Sequence, residues 1–253
     1  MEYVFDAVKT IFDFFFVDNF PAIQLIVWLL PLSFLYVVFI FQLSSYFRNK
    51  FAWKVGYTRK LFHFSMFAAA GFYQWLWGIP GVFILGWAIT GCLFFLLIKG
   101  SNNNWWKVLA RPGDAPRESH YIVYPYLATF AGGVLVNLFF APESAIAGYL
   151  VAGMGDAIGE PVGTKWGAHR YKVPSYGSSI VSYRSYEGSF AVFLACIVAF
   201  FISSELTAIP LAIGLLTLSA FIAAFVEGIS PHGWDNFTSQ LAAAILFTYL
   251  IAI

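Results

Sequence analysis

Between Ser144 and Gly163 the chain reads SAIAGYLVAGMGDAIGEPVG. A run of this length is enough to cross a bilayer, which takes roughly 20 mostly apolar residues. It nevertheless carries Asp156 and Glu160 near its end. Acids inside an apolar span are costly and mark function. The same stretch therefore predicts a membrane helix and the place where chemistry is done.

The rest of the chain agrees. Hydrophobic residues make up 60% of the 253 residues and charged residues 11%, where a soluble domain carries roughly 25% charge. Further apolar runs occupy Pro21–Ser45, Leu61–Trp77, Pro80–Ile98, Tyr121–Phe140, Gly188–Ser204, Ala208–Gly228 and Phe237–Ile253. The fold class this predicts is all-α, a polytopic transmembrane helical bundle of about eight spans, making one integral membrane domain over residues 1–253. Residues 1–18 are different. Val4, Val8, Ile11, Phe12 and Phe15 share one helical stripe while Asp6, Lys9 and Asp13 lie elsewhere, which predicts an interfacial helix. No basic region of a cleavable signal opens the chain.

Basic residues give the orientation. Of the 14 Lys and Arg, all but Lys9 follow the first, third or fifth run. Basic loops stay in the cytoplasm, so the reading is a multi-pass protein with both termini outside and its active face cytoplasmic. A net charge of +1 offers no bulk field for nucleic acid. Cys92 and Cys196 stand alone in apolar runs and read as small packing residues.

The polar chemistry gathers in the same loops. Asp156 and Glu160 are four apart and share one helix face. Two carboxylates on one face suit a hard cation such as Mg²⁺ with phosphate oxygens. Gly155, Gly159, Gly163 and Gly167 also recur every four residues. That spacing reads as close helix packing, and it also lets backbone approach a phosphate. It has neither the spacing nor the strand of a dinucleotide fingerprint, and Gly163-Thr164-Lys165 is no Walker A loop. Lys165, Arg170, Lys172, Tyr176, Gly177, Ser178, Ser179 and Arg184 then form a glycine-bearing, basic, hydroxyl-rich loop, good material for a triphosphate cradle. Ser185, Glu187, Gly188 and Ser189 follow, with Glu187 a second metal or base candidate. Glu227, Asp235 and Asn236 bring further oxygen ligands to the same face; Asp235 and Asn236 equally suit a helix cap. The sequon at Asn236 is predicted to face the cytoplasm, which argues against its use. Arg59 and His63 share a face at the start of the second run, with Lys60 beside them. Arg111, Pro112, Gly113, Asp114 and Arg117 form a compact charged loop able to touch substrate.

Arg59-Lys60-x-x-His63, then Gly155-Asp156-Ala157, then Arg184-Ser185-x-Glu187-Gly188-Ser189, then Asp235-Asn236 after a helix bearing Glu227, resemble in order the polyprenol kinase family: dolichol kinases, phytol kinases and CTP-dependent diacylglycerol kinases. The resemblance covers residues 59–253. It implies transfer of the CTP γ-phosphate to a membrane-embedded lipid alcohol, with Mg²⁺ or another divalent cation as cofactor and CTP as donor. An isoprenoid alcohol such as phytol, polyprenol or dolichol is the expected acceptor. The family's box usually opens with Lys, where this chain has Arg184. On this reading Asp156, with Glu160, Glu187, Glu227, Asp235 and Asn236 as further candidates, would hold the metal. Arg59, Lys60, Lys165, Lys172, Arg184, Ser185, Ser189 and the glycines including Gly188 would hold the nucleotide. Arg111 and Arg117 would meet substrate, and Asp156 or His63 would take the alcohol's proton. A CDP-lipid synthase, an ion-coupled transporter and a member of the family without activity are the alternatives.

Overall fold

The computed structural model describes residues 2–111, 114–174, 182–231 and 233–252. Tyr176, Gly177, Ser178 and Ser179 of the cradle, Pro112 and Gly113 of the charged loop and Ile253 lie outside the described residues. In chain order the elements are α1 (Glu2–Asp13), a π-helical turn (Phe14–Asp18), α2 (Ile23–Phe51), α3 (Val55–Lys99) and the short α4 (Asn104–Leu109). Then come α5 (Glu118–Phe139), α6 (Pro142–Trp166), β1 (Arg170–Val173), β2 (Ser182–Ser185), α7 (Tyr186–Thr207), α8 (Ile213–Ile229) and α9 (Asp235–Ala252).

The fold is helical, and among the described residues four helices are long and apolar enough to cross a membrane: α2, α3 with the turn after it, α5 and α7. This is consistent with an integral membrane protein. All eight expected runs fall on helix, but α8 has only 17 residues, and α6 and α9 are interrupted by polar side chains. The second and third runs share α3. Gly78 breaks it at φ 63°, ψ −155°, a conformation essentially confined to glycine, and Pro80 follows. Beyond the break the helix doubles back. Phe62 on the first arm packs tilted against Phe41, Phe41 stacks on Trp105, and Trp105 meets Phe95 of the second arm edge-on.

The all-α class holds, with one short hairpin added to it. β1 and β2 pair antiparallel, Arg170 opposite Ser185 and Val173 opposite Ser182. The strands are only four residues each, too short for a readable alternation, although Tyr171, Val173 and Tyr183 have the aromatic and β-branched character that strands favour.

α6 lies at the centre, packed on α3, α7 and α9. Ser144 to Gly153 are all buried. A Cβ at Gly153 would strike Phe67 of α3; one at Gly159 would come within 2.6 Å of Val192 of α7, and one at Gly148 within 3.0 Å of the Gln240 carbonyl of α9. Lipid tails are as apolar as Leu, so helices associate in a bilayer by close packing through small residues. Within the four-residue repeat, Gly155 and Gly159 face Val192 of α7 and Gly163 and Gly167 face Ser185, so the repeat has a packing role. Both cysteines are buried and free. Val8, Ile11 and Phe12 leave an exposed apolar surface on α1, whereas Phe15, just after it, is buried.

Candidate active site

Three elements bring the central cluster together. The start of α3 presents Lys60 and His63, α6 presents Asp156 and Glu160, and the loop before α5 presents Arg111. Lys60 Nζ donates to Asp156 Oδ1 and lies 3.0 Å from Glu160 Oε2. Arg111 Nη2 donates to both Glu160 oxygens at 2.6 and 2.9 Å. His63 Nε2 is 3.3 Å from Asp156 Oδ2 and 3.0 Å from Asn236 Oδ1. The Asn236 amide is oriented by its other end, which donates to Thr129 Oγ1 at 3.2 Å. Nε2 therefore faces two acceptors and carries the hydrogen in this arrangement. The His63 Nε2–H donates to Asn236 Oδ1, with Asp156 Oδ2 beside it at 3.3 Å, so of the two groups the carboxylate is the one placed to accept a proton.

A second cluster lies on the same cavity wall. Arg184 of β2 reaches Glu227 of α8 at 2.8 Å and Asp235 of α9 at 3.1 Å. Burial opposes its charge, yet Glu227 and Asp235 outweigh that and hold the guanidinium above its ordinary pKa. One cation thus ties the hairpin to two helix ends. Ser185 caps α7, its Oγ accepting from Gly188 N at 3.1 Å, and Tyr171 bonds Ser189 at 2.7 Å.

Both clusters line one cavity of about 1100 Å³. Arg59, Gly159, Gly163, Ser185, Gly188 and Ser189 also reach it. Away from these groups the cavity continues as an apolar arm walled by Met66, Phe67, Val82, Phe83 and Phe130. It is therefore amphiphilic: buried charges at one end and room for hydrocarbon at the other.

Several expected residues stand elsewhere. Glu187 is engaged by His169, whose Nδ1 lies 2.7 Å from Oε1 and whose backbone N–H also donates to the carboxylate. It does not join Asp156. Lys165 lies over the Trp166 ring at 4.5 Å. Lys172 and Arg117 are exposed. Gly155 packs toward Val192. None of these five lines the cavity. The proposed metal set is thus divided, with Asp156 and Glu160 around Lys60, Glu227 and Asp235 around Arg184, and Glu187 apart. Among the described residues no group of three or more His, Cys, Asp or Glu could hold a metal alone. Asp156 and Glu160 do converge on a single cation position, now filled by the Lys60 ammonium. That pair fits a Mg²⁺ ion arriving with phosphate oxygens, the common mode for this metal. Sequence reasoning missed Thr129, which has no motif around it. That one of the α6 acids pairs with a nearby Arg is an alternative the sequence offers, and Arg111 on Glu160 fills it; the sequence did not single out Arg111, and it gave no sign of Lys60 as a partner, for which the only signal was the need of acids in an apolar setting for cations.

No protein-family model and no solved structure matches the chain. One curated protein is 31% identical over 119 residues, which are 45% of this chain and 48% of the relative. The match thus spans about half the length of that relative. Over this stretch, the chain is similar to the phytol kinase of Synechocystis sp..

Proposed function

We propose that this chain is a multi-pass membrane kinase that transfers the γ-phosphoryl group of CTP to an isoprenoid alcohol. The observation that carries the reading is the cavity joining half-buried Asp156 and Glu160 and buried Lys60 to an apolar arm. Such a cavity offers an amphiphile a place for its hydroxyl beside the charges and for its tail among apolar helices. The similarity to a phytol kinase supports the acceptor class, and the order of motifs supports CTP.

In the proposed reaction the alcohol oxygen attacks the γ-phosphorus. The bond from that phosphorus to the β–γ bridging oxygen breaks, and CDP leaves. The hydroxyl proton passes to Asp156, beside which His63 stands. Lys60 and Arg111 supply positive charge near the transferred group, and Arg59 stands on the same wall. Phosphoryl transfer asks for positioning and charge stabilisation more than for a strong base, so an ion-paired carboxylate suffices. Mg²⁺, held by Asp156 and Glu160 together with the phosphates, would neutralise phosphate charge when bound. Lys60 would then turn from the two carboxylates toward the phosphates.

The test is purified protein with γ-labelled CTP, Mg²⁺ and a panel of lipid alcohols. Label is expected in a lipid monophosphate, with CDP released and ATP a poor donor. A CDP-lipid with pyrophosphate would instead identify a cytidylyltransferase, and equal use of ATP would remove the CTP assignment.

A further inference from the structure

The segment before α2 lies outside the stretch whose motifs resemble the kinases, yet it builds part of the cavity. Ile11, Phe15, Phe16 and Phe20 line the apolar arm. Phe15 is 6% exposed, whereas Phe16 and Val17 beside it are 58% and 63% exposed. The Phe15 ring lies 5.7 Å from that of Phe83, and Phe20 lies 5.8 Å from Trp87. Asn19 fixes the π-helical turn by donating its Nδ2 to the Phe14 carbonyl at 2.8 Å. The segment buries Phe15, while Phe16 and Phe20 reach the cavity from more exposed positions.

Its position along the cavity gives Phe15 a use. Phe83 is on the returning arm of α3, close to the Gly78 break, while Lys60 is near the far end of the first arm. At 1.5 Å per residue the two lie about 20 Å apart along the bundle. That is shorter than the ~30 Å hydrocarbon core of a bilayer. At about 1100 Å³ the cavity stands at the upper end of the roughly 300–1,000 Å³ usual for ligand pockets. With its hydroxyl at Asp156, an alcohol of phytol's length would end beside Phe15. The tail of a long polyprenol would have to leave through the wall.

We propose that the aromatic segment from Phe15 to Phe20 is the stop for the acceptor's tail and sets its chain-length preference. The identity of the acceptor rests on the kinase reading above; the stop itself rests on the cavity. Phe15 and Phe20 act here as specificity determinants, remote from the reacting atoms.

Two measurements test this and keep the two readings apart. In the first, a phytol-length alcohol bearing a diazirine at its tail end is photolysed with the wild-type protein. Label is expected on peptides containing Phe15 to Phe20 or Phe83 to Trp87, and excess unlabelled alcohol should remove it. In the second, kcat/KM is compared for alcohols of three and four isoprene units and for a long polyprenol. Phe15→Ala should raise the long-to-short ratio about tenfold, the scale on which apolar pockets discriminate size. Phe15→Trp should shift preference toward the three-isoprene alcohol. Label confined to other helices, or no competable label, overturns the proposal, as do unchanged ratios in both variants. If wild type phosphorylates no alcohol, the kinase reading fails. Competable tail-end label on the segment would then still sustain the stop, and its absence would overturn that as well.

Discussion

Lys60 Nζ stands between Asp156 and Glu160, and that contact governs what single substitutions at the site do. Asp156→Asn keeps the side chain's size and leaves Lys60 paired with Glu160, so the protein should stay folded. It removes the negative charge that a hard cation and a departing proton both want. Turnover should fall at least about a hundredfold, the scale of losing one preorganised electrostatic contact, while elution in detergent stays monodisperse. Normal activity would remove Asp156 from the mechanism. Arg184 differs, because it serves two acids. Arg184→Ala leaves Glu227 and Asp235 buried without their cation, a loss on the order of 3–5 kcal/mol for a broken buried pair, and nucleotide use should weaken with it. Arg184→Lys keeps the charge but not the fork that spans two carboxylates, so it should fall between Ala and wild type in both melting temperature and rate. Wild-type behaviour in Arg184→Ala would show that neither the clamp nor the phosphate role holds. At this scale the sequence exposes Asp156 and Glu160 because acids stand out in an apolar run. Their partners were hidden, since Lys60 and Arg111 reach them only through the fold. Glu187 was grouped with them by its place in a motif, but the short hairpin turns it toward His169 instead.

The helices were legible element by element, because long apolar runs have one structural solution in lipid: backbone groups must be satisfied within the segment. The gap at Gly78-Ile79 also separated two runs in the sequence, as the doubled-back α3 does in space. The β1–β2 hairpin was not legible, its strands being too short to show a period. The inward turn of Phe15 was equally hidden, since the helical stripe of α1 does not foretell the π-helical turn that ends it. Gly78 allows a test at this level. Its φ of 63° and ψ of −155° would cost another residue about 1–3 kcal/mol. Gly78→Ala should therefore lower the melting temperature in detergent while leaving the charged cluster, some 18 residues away along α3, able to bind nucleotide. Unchanged stability would mean that the two arms of α3 reverse without needing that conformation.

At the scale of the molecule, the charged loops converge. Lys60 follows the first apolar run, Arg111 the third and Arg184 the fifth, and all three line one cavity. The sequence put 13 of 14 basic residues after those same runs, and basic loops of membrane proteins stay cytoplasmic. If all eight helical arms cross the bilayer, the connections must alternate. The loops holding Lys54, Arg117 and Lys172 then face one side, and those holding Ala141 and Glu205 face the other. Single cysteines at these five positions test the arrangement in a background lacking Cys92 and Cys196. Lys54, Arg117, Ala141, Lys172 and Glu205 are all exposed, and none is assigned to the charged clusters, so labelling reports sidedness with little interference from the site. A membrane-impermeant maleimide applied to intact cells should label Ala141→Cys and Glu205→Cys and spare the other three until the membrane is opened. The alternation is a strict constraint. If α6 or α8 lay in the membrane without crossing it, the side of every later loop would invert. Lys172→Cys labelled together with Ala141→Cys would reduce the number of spans and separate Arg184 from a cytoplasmic nucleotide. That outcome would also remove the CTP kinase reading, since the triphosphate and the basic loops would lie on opposite sides of the bilayer.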